Sequence, residues 1–193
     1  MHLDYSLGED PRALGTYCRE VVTQGEFTWM AWVALTEEMR KPPESPRDHM
    51  ACFAYAQMML SAVAQISKVF WPPVNKRDWT PEHIQFTKAR GLRMRELLKP
   101  DPRLKNRAVR DSIEHFDERL DSFFLSSPGA PIADHNIFPE HYLHNGYEDK
   151  PYMTLRRIDP ETAEIAVLNV KVSLRDLYVM VMEVAARAEK YSS

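Results

Sequence analysis

The stretch Leu104–Phe124, LKNRAVRDSIEHFDERLDSFF, decides how the chain is read. Its apolar residues Val109, Ile113, Phe116, Leu120, Phe123 and Phe124 step by three and four, the spacing that stacks side chains on one face of an α-helix. One amphipathic helix is predicted, with that stripe toward a core. At about 100° per residue, His115 lies roughly 120° from the centre of the stripe. Asp111 is one turn before it, and Glu118 and Ser122 follow within two turns. Arg110 projects from the other edge of the polar face.

Outward from this helix, the prolines mark where other helices begin and end. Helices are predicted from about Pro11 to Thr23 and from about Phe27 to Met39, with KPPESP as the break after them. Ser45 can cap the next helix, with Pro46 in its first turn and Asp48 near the backbone donors. That helix, Met50–Trp71, is nearly long enough to span a membrane. Gln57, Gln65 and Lys68 interrupt it, and each would be costly in lipid, so the expectation is a central packed helix and no membrane. Thr80 and Pro81 start a basic helix that runs to about Leu98 and carries Lys88, Arg90, Arg93 and Arg95.

The C-terminal third reads differently. Residues 126–151, rich in Pro, Gly, Asn and His, have no usable period and read as a long irregular loop. YMTLRRI and AEIAVLNVKV flank DPET, so a β-hairpin is expected over about 152–172. Ser173, three residues before Asp176, opens a last amphipathic helix. The fold class that follows is mainly α: a helical bundle with an inserted β-hairpin near the C-terminus, in a single domain over residues 1–193.

Composition narrows function only partly. The net charge of −3 gives no global attraction to phosphate or anionic lipid, so nucleic-acid contact would need a local basic patch. Cys18 and Cys52 fall in apolar helical segments and read as reduced, buried thiols. MHLDYSLGEDPR has neither the basic start nor the apolar run of a signal peptide, and a cytoplasmic protein is expected. None of the six glycines is spaced as a nucleotide-binding loop, so no cofactor is expected. Trp29, Trp32, Trp71 and Trp79 stand among apolar neighbours and are expected to pack.

The polar face of the opening helix has a chemistry of its own. Asp111 and His115, four apart, can share a hydrogen bond that fixes the imidazole tautomer and raises its basicity. An imidazole can move a proton, and a guanidinium can stabilise charge on a phosphate in its transition state. The pattern Arg110-Asp111-Ser112-Ile113-Glu114-His115 resembles the signature of the HEPN superfamily, an arginine followed by a polar residue and, after a short spacer, a histidine on a late helix of a bundle. The resemblance implies a metal-independent endoribonuclease that acts on RNA as a homodimer, its two motifs meeting in one cleft. It would make Arg110 the phosphate-holding residue, Asp111 the supporting polar residue and His115 the proton-transfer or orienting residue. RDWTPEH, Arg77–His83, meets the same spacing, but Trp79 and Pro81 place it across a helix start.

Two other readings stand beside it. A non-catalytic helical protein could use the same polar face, or the hairpin edge, to bind protein or RNA. A metal-dependent hydrolase could use His135, His141 and His144 of the long loop, which lie among Asp134, Glu140, Glu148 and Asp149. Glu114, Asp117, Glu118 and Asp121 would repel a phosphate backbone unless the basic helix lies alongside.

Overall fold

The computed structural model describes residues 10–42, 45–74, 77–106, 108–126, 132–140, 153–168 and 170–192; the side chains of Val109, Arg110, Ser112 and Met153 lie outside the described set. The protein is mainly helical, with a small sheet toward the C-terminus. The helices are α1 (Pro11–Met39), α2 (His49–Phe70), α3 (Pro81–Leu98), α4 (Ala108–Glu114), α5 (Phe116–Ser126) and α6 (Leu174–Glu189), with a 3₁₀ turn at Pro102–Lys105. The strands are β1 (Ile132–Ala133), β2 (Asn136–Ile137), β3 (Met153–Thr154), β4 (Arg156–Asp159), β5 (Glu164–Val167) and β6 (Val170–Ser173).

These elements group into two compact units. The first takes in Met1–Trp29, Ser61–Asn106 and Leu177–Ser193; the second takes in Met30–Leu60 and Arg107–Asp176.

In the first unit, the helices expected on either side of residues 24–26 are one continuous α1. Gly25 does not break it. A Cβ there would stand 2.7 Å from the Cβ of Ala185, so the glycine lets α1 and α6 approach closely. The basic helix α3 is committed to packing. Arg90 is buried, lies over the Tyr17 ring at 4.3 Å, and donates to the Val69 carbonyl at 2.6 Å. Arg95 donates to the Phe70 carbonyl. Two guanidinium groups thus satisfy the orphan carbonyls at the end of α2. Arg93 pairs with Glu96 at 3.6 Å. Thr80 caps α3 by accepting the His83 N–H at 3.3 Å, and the His83 ring stacks on Trp79, which keeps Arg77–His83 at a helix start as expected. Cys18, Val21, Ile66, Phe70, Met94, Leu98, Val181 and Val184 form the core.

In the second unit, Asp48 rather than Ser45 caps α2, accepting the Ala51 N–H at 2.9 Å, because the helix begins only at His49. Of the described residues, α2 is the one helix long and apolar enough to cross a membrane. Its Cys52, Phe53, Ala56 and Met59 are buried within the protein. Cys18 and Cys52 are both unpaired and buried, and burial raises both thiol pKa values.

The expected hairpin is the centre of a larger sheet, ordered β2-β4-β5-β6, with a separate short parallel pair β1-β3. Asp159 sets the first turn. Its Oδ1 accepts the N–H groups of Glu161 and Thr162, and Ala163 completes the loop with φ 56°. The segment read as one second arm is two antiparallel strands. Val167 pairs with Val170, which leaves two residues for the connection, and Leu168 turns with φ 55°. Nor is the long loop irregular throughout: β2 pairs with β4 in parallel, Asn136 opposite Arg157 and Ile137 opposite Ile158.

Candidate functional site

Helix α4 packs against β5 and β6, and α5 follows it directly. The single helix expected over Val109–Phe124 is interrupted at His115. The hydrogen-bond ladder nevertheless carries through, from the His115 N–H to the Asp111 carbonyl at 3.0 Å and from the Arg119 N–H to the His115 carbonyl at 3.2 Å. The apolar stripe holds in part. Phe123 is buried and Ile113, Phe116 and Leu120 are half-buried, but Phe124 is exposed. Adjacent residues stand about 100° apart, so one face cannot bury both phenylalanines equally.

On this helix pair, Asp111, His115, Glu118, Arg119 and Ser122, together with Phe123 of the apolar stripe and Leu168 of the β5–β6 turn, line an open cleft of about 650 Å³. His115 is available to a ligand there: its side chain is 60 % exposed, and its Nδ1 faces Glu118 Oε1 at 3.5 Å. Ser122 donates its hydroxyl to the Glu118 carbonyl at 3.0 Å. Arg119, one turn beyond His115, is the guanidinium that this cleft presents among the described residues.

Of the three site residues expected from sequence, the fold brings Asp111 and His115 into one cleft. Arg110 belongs to α4 by its backbone, and its side chain lies outside the described residues. Ser122, placed within two turns of His115 by the sequence, lines the cleft as expected, whereas Arg119 was not singled out. The signal for Arg119 was present, since it follows His115 at helical spacing, four positions on. Glu114, Asp117, Glu118 and Asp121 are all exposed around the histidine, so the acid surround read from the sequence is retained.

The histidine loop divides. His141 and His144 lie outside the described residues. His135 adopts φ 54° between β1 and β2, its Nδ1 3.3 Å from Asp134 Oδ2 and its ring edge-on to Phe53 at 4.9 Å. Among the described residues, no three His, Cys, Asp or Glu side chains are grouped as a metal site would need. The tryptophans also divide: Trp79 stacks on His83 and Trp71 meets Phe70 edge-on, but Trp29 is exposed.

No family model, curated protein or solved structure matches the chain.

Proposed function

We propose that the protein is a cytoplasmic, metal-independent endoribonuclease that uses the cleft on α4 and α5. One observation carries this reading: His115, expected from sequence to move a proton, is an exposed imidazole on the wall of a cleft that also takes Asp111 and Arg119. In the reaction, His115 accepts the proton of a ribose 2′-hydroxyl as that oxygen attacks phosphorus. The bond from phosphorus to the 5′-oxygen breaks, the leaving oxygen takes up a proton, and a 2′,3′-cyclic phosphate remains. Arg110, assigned by its place in the motif, stabilises the charge that builds on the phosphoryl oxygens. Asp111 supports the motif from one turn before His115, and two copies of the chain supply two motifs to one cleft.

The test is cleavage of a mixed panel of labelled RNAs in EDTA by the wild type, His115→Ala and Arg110→Ala, each first checked for native circular dichroism. Cleavage by the wild type that both variants lose supports the reading. Equal cleavage by all three, or none by the wild type, ends it.

A second reading has its own observation. Asp111 and Glu118 line the cleft and Glu114, Asp117 and Asp121 are exposed on the same helix pair, while Arg90 and Arg95 of the basic helix donate to carbonyls at the end of α2. An acidic face of this kind suits a basic protein surface better than a phosphate backbone. On this reading the chain is a non-catalytic interaction module.

A further inference from the structure

A second set of polar side chains gathers where the first turns of α2 meet α4 and the sheet. Phe53, Ala54 and Gln57 follow one face of α2, and with Ile113, His135 and Arg156 they line a cavity of about 270 Å³. It is separate from the His115 cleft. Ile113 stands two residues, about 200° around the helix, from both Asp111 and His115.

His135 is held in place from several directions. Its backbone is in the left-handed region, at φ 54°, which costs free energy for any residue but glycine. Its N–H donates to Asp134 Oδ1 at 2.8 Å, and its carbonyl faces His49 Nδ1 at 3.2 Å. Its ring meets Phe53 at 85°. Strained backbone of this kind persists only where surrounding contacts fix it, and it clusters at ligand-binding sites.

The charges beside the cavity cancel. Arg156 grips the Asp134 carboxylate with Nε, at 2.8 Å, and Nη2, while its guanidinium lies over the Phe116 ring at 4.5 Å. Its Nη1 takes no part in the fork and has no hydrogen-bond partner among the described residues. Burial lowers the pKa of His135, as does the Arg156 charge, against the opposing pull of Asp134, and the net lowering favours the neutral imidazole. With its proton on Nδ1, facing Asp134, the Nε2 lone pair is an acceptor.

Three polar features therefore remain for a ligand: a donor on the Asp134-paired guanidinium of Arg156, an acceptor on His135, and the Gln57 amide, which is both. The walls beside them are the Phe53 ring and the side chains of Ile113 and Ile165. A full charge would find no uncancelled counter-charge here, and a purely apolar molecule would leave the polar groups unanswered.

We infer that this cavity binds a small, flat, uncharged ligand carrying a carbonyl and an N–H side by side, the cyclic amide edge of a pyrimidine-like ring. The inference does not depend on the cleft being a nuclease site.

The test uses uracil as probe against the full-length protein, with 1,3-dimethyluracil, which lacks both N–H donors, and benzoate, which is flat but anionic. Binding is followed by amide shifts in ¹H–¹⁵N spectra. Uracil should bind with a dissociation constant of about 1 mM, ordinary for so few atoms, and shift the amides of Phe53, Gln57 and His135. Dimethyluracil and benzoate should bind at least about tenfold more weakly, because neither can answer both the donor and the acceptor that uracil meets. Ala54→Trp, at an exposed position, should fill the cavity and abolish the shifts. Gln57→Leu, also exposed, should weaken uracil severalfold and serves if the tryptophan variant does not fold. An oligouridylate tried in parallel tells a free base from a base within a strand, by whether it shifts the same amides more tightly. Benzoate binding as well as uracil, shifts located elsewhere, or no binding by any probe would overturn the inference.

Discussion

His115 and His135 belong to the same compact unit but meet opposite surroundings. His115 stands where α4 gives way to α5, 60 % exposed, with the Glu118 carboxylate 3.5 Å from its Nδ1. His135 is fixed by a strained backbone, by a carboxylate already forked to an arginine, and by an aromatic ring. The first arrangement leaves a side chain open to solvent and contributes little to the fold. The second spends free energy to hold an imidazole still. Accessibility and fixed position are different signs of function, and each makes a different measurement informative.

The largest expected effect separates chemistry from stability. If the cleft is catalytic, His115→Ala and Arg110→Ala each reduce RNA cleavage by about 10² to 10⁴, as read in single-turnover assays. For His115→Ala the unfolding free energy changes by no more than about 0.5 kcal/mol, as expected at an exposed site. A stability loss well above that would place His115 with His135 as a structural residue and erase the contrast. Next in size is the fork. Asp134→Ala strips Arg156 of its partner and His135 of a hydrogen bond, and should cost about 2 to 3 kcal/mol in chemical denaturation. A loss below about 1 kcal/mol would mean that His135 needs no such support.

The contrast also marks what sequence could and could not carry. The helical periods of α2, α3 and α6 and the start signals at Thr80 and Ser173 were legible, because capping and amphipathicity are local; Ser173 Oγ accepts the Asp176 N–H at 3.1 Å. Asp111 and His115 were legible for the same reason, sharing one helix within one turn. Arg156 was not, since its pairing with Asp134 joins residues 22 apart across strands too short to show a period. The break expected between Thr23 and Phe27 is absent, and Gly25 in that stretch admits the neighbouring α6 instead of ending α1, a role that depends on a partner distant in sequence. Leu168 hid a turn, leucine being a residue that turns seldom select.

Acid should act on the fixed histidine in two stages. Burial and the Arg156 charge depress the His135 pKa, with Asp134 opposing. For Asp134, burial raises the pKa, but the bonds from Arg156 and the His135 N–H outweigh it and the net direction is down. Both groups hold fewer protons folded than unfolded, so stability rises with pH through each window. The His135 contribution is complete above its ordinary 6.5 and is lost as pH falls through its depressed folded value. That of Asp134 is complete above its ordinary 3.8 and is lost as pH falls through its own depressed folded value. A denaturation series from neutral to acid should show both declines, and His135→Gln should remove the upper one alone.

The smallest effect tests whether backbone strain by itself marks a site. Leu168, which lines the His115 cleft, and His135 adopt nearly the same left-handed conformation, at φ 55° and 54°. Glycine relieves that strain at either position. At Leu168 the half-buried side chain has little to lose, so Leu168→Gly should stabilise the β5–β6 turn by up to about 1 kcal/mol. At His135 the same relief is set against the ring contact with Phe53 and the pairing with Asp134, so His135→Gly should destabilise by about 1 kcal/mol or more. Opposite signs, read from denaturation midpoints at neutral pH, would show that His135 is strained because its side chain is held where it is, whereas Leu168 is strained only because a two-residue turn must close. If both variants gain stability, the contacts around His135 are too weak to hold the imidazole for a ligand.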